Sequence, residues 1–541
     1  MNPDLSRSIE HRPDSRYCFA QDGTLILRLR TAKNAPVVKI TVIYGCKYDF
    51  TKRRKETLMY KAFSDRLFDY YTATLVLDDA RLVYIFAVEL PEGRYYYSEE
   101  GIGEGYDFAT AYMTSFQMPF INPCDIHVVP EWYRSAAFYS IFPERFRNGG
   151  GSRKDYVNLP WGAVPGSKSY AGGDILGIVQ SLDYIKDLGF NALYLTPVFT
   201  SPTNHKYEIT DYYNIDPAFG TNGDFKELVQ KCHALGMRIV LDAVFNHCGI
   251  GFPFFRDVME KGRESAYYGW FIIDGERPDP KLGNYAFFGL SNPEMPKLNM
   301  ANPEAREYFL DVAEHWISKY GIDGWRLDVS DEVPHDFWRD FRKAVKRANP
   351  EAVILGENWH DAVTCLGGDQ FDGIMNYAFS RACADYFAGG TLDEQGLSER
   401  LSGLLMRNTG PANAMMLNLL DSHDTDRFLT TLNGNADKLR AALALAFLFP
   451  GAPCVYYGTE IDMEGGYDPD NRRTMDWEKA GERQETAEVI RALAKLRRKK
   501  AVMYGDVRFR AGGGAFVMER FYQDEAVTLR IEQGEYTLKE R

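Results

Sequence analysis

Several short apolar runs in this 541-residue sequence end in residues suited to acid–base and nucleophilic chemistry. They read Asp242-Ala243-Val244-Phe245-Asn246-His247, Arg326-Leu327-Asp328, Gly356-Glu357-Asn358-Trp359 and Asp421-Ser422-His423-Asp424. Taken singly, each has a plainer use: an Asp at a strand end caps the next helix, and a lone His is a satisfied structural residue. Together, Asp328, Glu357 and Asp424 form a set that capping does not require, with Arg326 two residues before the first. One carboxyl as general acid and another as nucleophile is the apparatus of glycoside hydrolysis. Other catalytic patterns are absent: there is no P-loop, no HExxH and no GxSxG. Gly101-Ile102-Gly103-Glu104-Gly105 has half the glycine spacing of a nucleotide loop, but it lies in a β-rich stretch and reads as a turn.

The elements that must hold these residues can be read from periodicity. From about 132 onward, short apolar strands alternate with helical patterns such as 303–320 and 336–347, which implies βα units on a parallel sheet. Eight strands are predicted, at 137–142, 192–197, 238–246, 324–329, 353–357, 373–377, 415–421 and 453–457. Eight such units close into an α/β fold, the (β/α)8 TIM barrel, whose active sites lie at the C-terminal strand ends. Strands four, five and seven would then carry Asp328, Glu357 and Asp424. The barrel is assigned to residues 126–504. An inserted subdomain at 248–302, rich in Phe, Gly and Pro, is too long for a plain crossover. Residues 1–125 carry short alternating segments such as 24–30 and 37–42, the pattern of a β-sandwich, and Asn122-Pro123-Cys124-Asp125 marks a turn at its boundary. Residues 505–541 form a short C-terminal β region.

Composition bounds the partners. Hydrophobic residues make up 45% and charged residues 26%, ordinary for a globular protein, and a formal charge of −13 argues against nucleic acid. Two basic runs, 52–55 and 497–500, read as solvated faces, the second at a helix end where cations suit the dipole. No apolar run reaches the ~18 residues of a membrane span, and no signal peptide is visible at the start. The eight cysteines are scattered without metal-ligand spacing and are expected to be reduced thiols of a cytoplasmic protein.

The sequence resembles the alpha-amylase superfamily, glycoside hydrolase family 13, and within it the cyclomaltodextrinase, neopullulanase and maltogenic amylase group. The motifs that carry the resemblance are DAVFNH (242–247), GWRLDV (324–329), GENW (356–359), LLDSHD (419–424), MPKLN (295–299), SPTNHKYEITDYYNIDPAFG (201–220), GDQFDGIMNY (368–377) and GGYDPDNRR (465–473). The N-terminal region is similar to the family 34 carbohydrate-binding module. The resemblance implies that Asp328 is the nucleophile of a retaining reaction on alpha-1,4-glucosidic bonds and that Glu357 is the general acid, then base. Asp424 would grip the sugar hydroxyls, Arg326 would orient Asp328, and His247 and His423 would bond the same sugar. Asp242 would support the site from below and Tyr207 would stack on the cleaved glucose. Trp359 would flank the leaving group, while Asp468 and Arg472 would narrow the far glycone side. Glu357 would have to be held protonated by neighbouring carboxylates and partial burial.

The implied substrates are cyclodextrins, maltooligosaccharides and other alpha-glucan oligosaccharides, with pullulan or starch beyond them. A homodimer is implied, in which the N-terminal domain of one chain covers the cleft of the other. No cofactor is needed for the chemistry. Asn148 and Asp174 match places where relatives hold a structural calcium, although Gly150 stands where an acid is usual. Three further departures stand out. Ser330-Asp331-Glu332 follows the nucleophile where the group carries a small residue, then Asn-Glu; Asn358 replaces an apolar residue beside Glu357; and the C-terminal β region is less than half the usual size, which would reduce stability or expose barrel surface. Two rival readings are a transglycosylating or branching enzyme on the same barrel and a non-catalytic glycan-binding protein.

Overall fold

The structure, a computed structural model, describes residues 3–150 and 155–541. Eight parallel strands form the barrel: β1 (Phe138–Ile141), β2 (Ala192–Leu195), β3 (Arg238–Ala243), β4 (Gly324–Leu327), β5 (Val353–Gly356), β6 (Gly373–Ile374), β7 (Leu417–Leu419) and β8 (Ala452–Tyr456). They pair in the order β6-β5-β4-β3-β2-β1-β8-β7, and a bridge between Met375 and Leu417 joins β6 to β7. Nearly every strand residue is buried, as expected for parallel strands covered on both faces.

Most strands end earlier than the apolar runs suggest. Beyond Leu327 and Gly356 the chain leaves the ladder, which turns Asp328 and Glu357 toward the barrel mouth. The predicted strand at 373–377 is only Gly373–Ile374, because the Asn376 side chain accepts from the Phe379 amide and caps a helix, Tyr377–Phe387. The predicted helix at 303–320 is α-helical over Pro303–His315, with Asn302 as its N-cap. It continues as a π-helical turn, Trp316–Tyr320, and ends where Gly321 takes φ 79°.

Two antiparallel sheets form the N-terminal sandwich. One orders Cys18–Gln21, Thr24–Ala32, Phe68–Leu75 and Tyr60–Ser64; the other orders Lys55–Leu58, Lys39–Cys46, Leu82–Leu90, Gly93–Ser98 and Gly101–Gly103. Alternate residues such as Leu25, Leu27, Leu29, Tyr84, Phe86 and Val88 fill the space between them. The glycine-rich stretch that read as a turn is therefore partly strand: Gly101–Gly103 pairs with Ser98, Tyr97 and Tyr96.

The C-terminal segment is a four-stranded antiparallel meander, Asp506–Gly512, Ala515–Tyr522, Glu525–Glu532 and Glu535–Glu540. Its face of Phe516, Met518, Val527, Leu529 and Ile531 joins the barrel's own apolar core, against the helices Glu394–Arg407 and Ala436–Leu448. The short sheet thus covers the part of the barrel flank formed by these two helices. All eight cysteines are free thiols. Among the described residues, no helix is long and apolar enough to cross a membrane.

Candidate active site

Register places the chemistry. Across β3 and β4, Asp242 faces Arg326; across β4 and β5, Leu327 faces Gly356, so Asp328 and Glu357 emerge side by side one residue later. Neighbouring strands lie ~4.8 Å apart, compatible with the ~5–5.5 Å carboxyl separation of retaining glycosidases. Gly356 has to be glycine here, since a Cβ would come within 2.7 Å of the Phe371 ring and 3.0 Å of Ser330 Oγ.

Arg326, fully buried, is the hub. Its Nη1 donates to both oxygens of Asp242 at 2.8 Å and to Asp328 Oδ1 at 3.0 Å, and its Nη2 lies 2.8 Å from Glu357 Oε1. Tyr194 and Tyr207 donate to Asp242 Oδ2 at 2.8 and 3.0 Å. One guanidinium therefore faces three carboxyls. Burial and the neighbouring Glu357 push Asp328 well above the usual carboxylate range against the pull of Arg326, and burial pushes Asp242 up to about 6. The physical consequence is that the cluster holds on to a proton as a unit. Asp328 Oδ2 has no hydrogen-bond partner, although the residue lines the cavity, and a reacting atom would occupy that place.

Glu357 is held from both sides. The Val329 amide donates to Oε2 at 3.0 Å and the Trp359 indole donates to Oε1 at 3.3 Å. Val329 adopts a left-handed backbone, φ 47°, rare for a β-branched residue and a sign of strain stored at a functional turn. Asn358 is buried, and its side chain lies 2.8 Å from Ser330 Oγ, which also lies 2.9 Å from the Glu357 carbonyl. Both neighbours, Asn358 Oδ1 and the Glu357 carbonyl, are acceptors, so the one hydroxyl proton of Ser330 is shared between them.

Asp424 sits opposite. His423 Nε2 lies 3.1 Å from its Oδ2 and Arg472 Nη2 lies 3.2 Å from its Oδ1; Arg472 also reaches Asp468 Oδ1 at 3.1 Å and the His423 carbonyl at 2.8 Å. Burial pushes Asp424 up, and Arg326 and Arg472 oppose it. Burial holds His247 down at about 3 and His423 well below its ordinary value, so both imidazoles are neutral at physiological pH. His423 Nε2 is hydrogen-bonded with the Tyr207 hydroxyl at 2.5 Å and lies 3.1 Å from Asp424 Oδ2. His247 stacks on Phe288 with ring centroids 4.8 Å apart, and its Nε2 has no partner among the described residues.

These groups line a cavity of about 440 Å³ at the barrel mouth, which takes in Tyr207, His247, Asp328, Glu357, Trp359, Asp424, Asp468 and Arg472. Asp242, Arg326 and His423 support it from behind. The loop between Phe199–Thr200 and Asp211–Ile215 carries Tyr207, and the insertion supplies Phe288 and Met295. Trp359 is half exposed and lies flat on Tyr377 with centroids 3.8 Å apart. Asp331 pairs with His360 at 3.1 Å and Glu332 with Lys297 at 3.1 Å, so both acids of the departed segment face the cavity with a basic partner.

Sequence reasoning missed Tyr194, Phe288 and His205, the last of which also lines the cavity beside Tyr207. The alternation within Ala192–Leu195 could have pointed Tyr194 inward; nothing in the loop sequence marks Phe288.

Asn148 and Asp174 lie apart from this cavity. Asp174 Oδ1 accepts the Gly149 amide at 2.9 Å and the Gly177 amide at 2.7 Å, capping the helix Ile175–Gln180, and Asn148 Oδ1 accepts the Gly150 amide at 2.9 Å. Among the described residues, no three His, Cys, Asp or Glu gather as a metal-binding group. A calcium ion there would draw chiefly on amide and carbonyl oxygens, which is weak donor chemistry for that ion.

The chain matches the alpha amylase catalytic domain over residues 140–507 and the alpha amylase N-terminal ig-like domain over residues 5–122. A cyclomaltodextrinase of Thermoanaerobacter pseudethanolicus is 41% identical over 97% of this chain and 92% of its own length. Neopullulanase 2 of Thermoactinomyces vulgaris is 42% identical over 93% of this chain and 86% of its own, and an intracellular maltogenic amylase of Bacillus subtilis is 41% identical over 91% and 84%. A solved cyclomaltodextrinase structure superposes with a TM-score of 0.93 at 38% identity, covering 97% of this chain and 91% of that one. With the carboxylate cluster in place at the barrel mouth, the chain belongs to the alpha-amylase family and is a glycoside hydrolase of its cyclomaltodextrinase, maltogenic amylase and neopullulanase branch.

Proposed function

We propose that the enzyme cleaves alpha-1,4-glucosidic bonds of cyclodextrins and maltooligosaccharides, and of pullulan or starch where they fit, through a covalent glycosyl-enzyme on Asp328. The observation that carries this reading is the sharing of Arg326 between Asp328 and Glu357, with Asp328 Oδ2 left unpartnered at the cavity. Glu357 protonates the leaving oxygen as Asp328 attacks the anomeric carbon; deprotonated Glu357 then takes a proton from the water that releases the sugar. Asp424 and His423 hold the hydroxyls of the cleaved ring, and Tyr207 supplies its platform. The chemistry uses only these side chains and water. The names of the relatives support the substrate class.

The test is the stereochemistry of early product from beta-cyclodextrin, read by NMR beside Asp328→Asn. Alpha product first, and a loss of about 10³-fold or more in the variant, equivalent to roughly 4 kcal/mol of barrier, are expected. Beta product would reverse the assignment.

Three further parts of the proposal stand beside it. The enzyme is cytoplasmic, a reading supported by the intracellular relative and eight free thiols. It is a homodimer in which the sandwich of one chain covers the cavity of the other. Exposed Tyr48, Tyr112 and Met113 on the sandwich, with Leu290 and Tyr467 exposed on the catalytic domain, support that reading; a monomer by light scattering at full activity would overturn it. If the Asn148 and Asp174 loops hold a calcium ion, its role is structural, since both lie apart from the catalytic cavity.

A further inference from the structure

A second cavity, of about 280 Å³, lies where the sandwich, the barrel and the C-terminal sheet meet. Six cationic side chains line it, Arg28, Lys61, Arg134, Arg497, Arg508 and Arg520, against the single carboxylate Asp506. That excess of positive charge stands in a chain whose formal charge is −13. Lys61, Arg134 and Arg508 have acidic partners, in Asp69, Asp22 and Glu519. Arg28, Arg497 and Arg520 are buried and, among the described residues, none has a carboxylate within 4 Å.

Their bonds go only to carbonyls. Arg28 donates to those of Arg16 and Asn408 at 3.0 and 2.6 Å, Arg497 to that of Ala136 at 3.3 Å, and Arg520 to those of Leu448, Val502 and Gly505. Arg520 Nε is buried with no partner. A buried guanidinium without a counter-charge is costly, and burial lowers Arg28 and Arg497 to about 10 and Arg520 to about 9. The fold has gathered three such groups around one void and set only one carboxylate beside them, Asp506, whose charge acts on Arg520.

We propose that this junction is a binding site for a small tetrahedral oxyanion, a phosphate group either free or carried on a sugar. Guanidinium forks match phosphate oxygens two at a time. Aromatic side chains stand beside the cations: the Arg28 guanidinium lies 4.7 Å from the Phe19 ring centroid, and Tyr60 and Tyr504 also line the cavity. Such faces would take the apolar side of a hexose. Because all three structural units contribute, an occupant ties the sandwich to the barrel without touching the catalytic carboxylates.

The experiment is titration of the full-length enzyme with inorganic phosphate and, separately, with glucose 6-phosphate, followed by calorimetry and thermal melting at fixed ionic strength with chloride as control. Saturable binding of one anion per chain is expected, with a melting temperature raised by a few degrees. Tighter binding of glucose 6-phosphate identifies the sugar ester as the natural source, and equal or tighter binding of inorganic phosphate identifies the free ion. Arg497→Gln should weaken binding about tenfold or more, the loss of one charge-assisted contact. Arg508→Glu, on a half-exposed side chain, reverses a lining charge without emptying the core and should do the same while leaving cyclodextrin hydrolysis unchanged. Absence of saturable binding, or unaltered binding in Arg508→Glu, overturns the proposal.

Discussion

The backbone amide of Val329 donates to Glu357 Oε2 at 3.0 Å, and it does so from a left-handed conformation. That conformation costs an L-residue about 1–2 kcal/mol, so the turn after Asp328 trades stability for the aim of the neighbouring carboxyl. Val329→Gly keeps the donor and adopts the same φ freely. It should hold or raise stability by up to about 1 kcal/mol and lower kcat by no more than roughly tenfold. Val329→Pro, which lacks the N–H and cannot take positive φ, should lose about 10²-fold or more. Denaturant melts and initial rates on beta-cyclodextrin decide it; equal activity of the two variants would show that the amide does not matter.

Glu357 accepts through both oxygens, from the Trp359 indole at Oε1 and the Val329 amide at Oε2, and Oε1 is also ion-paired with Arg326 Nη2. Glu357→Gln keeps the side-chain size but sets an NH2 against one of these donors, and it has no acidic proton to give the leaving oxygen. The loss should be about 10²–10⁴-fold on maltotriose, the range of general acid catalysis. It should be much smaller for glycosylation by an aryl maltoside, whose leaving group needs little protonation. A uniform loss on both substrates would assign Glu357 a positioning role instead.

The barrel could be read from the sequence because parallel strands are buried on both faces and announce themselves as continuous apolar runs, and because strand ends fix where side chains converge. Asp328 and Glu357 follow from that logic without coordinates. The cluster's electrostatics do not. Only the register, with Asp242 facing Arg326, shows that one guanidinium is shared among three carboxyls. The left-handed Val329 was equally hidden, since valine gives no local signal for positive φ and the strain is imposed by the surrounding packing. Phe288 was beyond reach for another reason: it meets His247 across a long insertion whose path depends on isolated bridges such as His247 with Lys297.

The Asn148 and Asp174 loops are tied to each other through the Gly149 amide. A calcium ion bound there would brace that tie and take no part in catalysis, so chelation should lower the melting temperature by a few degrees and leave kcat unchanged at 25 °C. Re-addition of calcium should restore the melt. An unchanged melt together with no metal by elemental analysis would show that Gly150 has abolished the site.

Asp328 carries the clearest trade of stability for function. Burial and Glu357 raise it well above its ordinary value of 3.8 in the folded enzyme. Between the unfolded and folded values the native state binds this proton more tightly than the unfolded chain does, so its contribution to stability falls as pH rises through that window. Above the unfolded value the carboxyl is more costly to ionise in the native state than in the unfolded chain, and that difference counts against the fold. Asp328→Asn replaces it with a neutral isostere and strands no charge, because Arg326 keeps Asp242 and Glu357. The variant should therefore melt above the wild type at pH 7, and the gap should narrow as pH falls toward about 4, where an ordinary Asp takes up its proton. Calorimetric melts of both proteins at pH 4.5, 6 and 7.5 make the comparison. A gap that is constant, or that widens in acid, would mean that the Arg326–Asp328 bond at 3.0 Å outweighs burial and that the nucleophile is a net support of the fold.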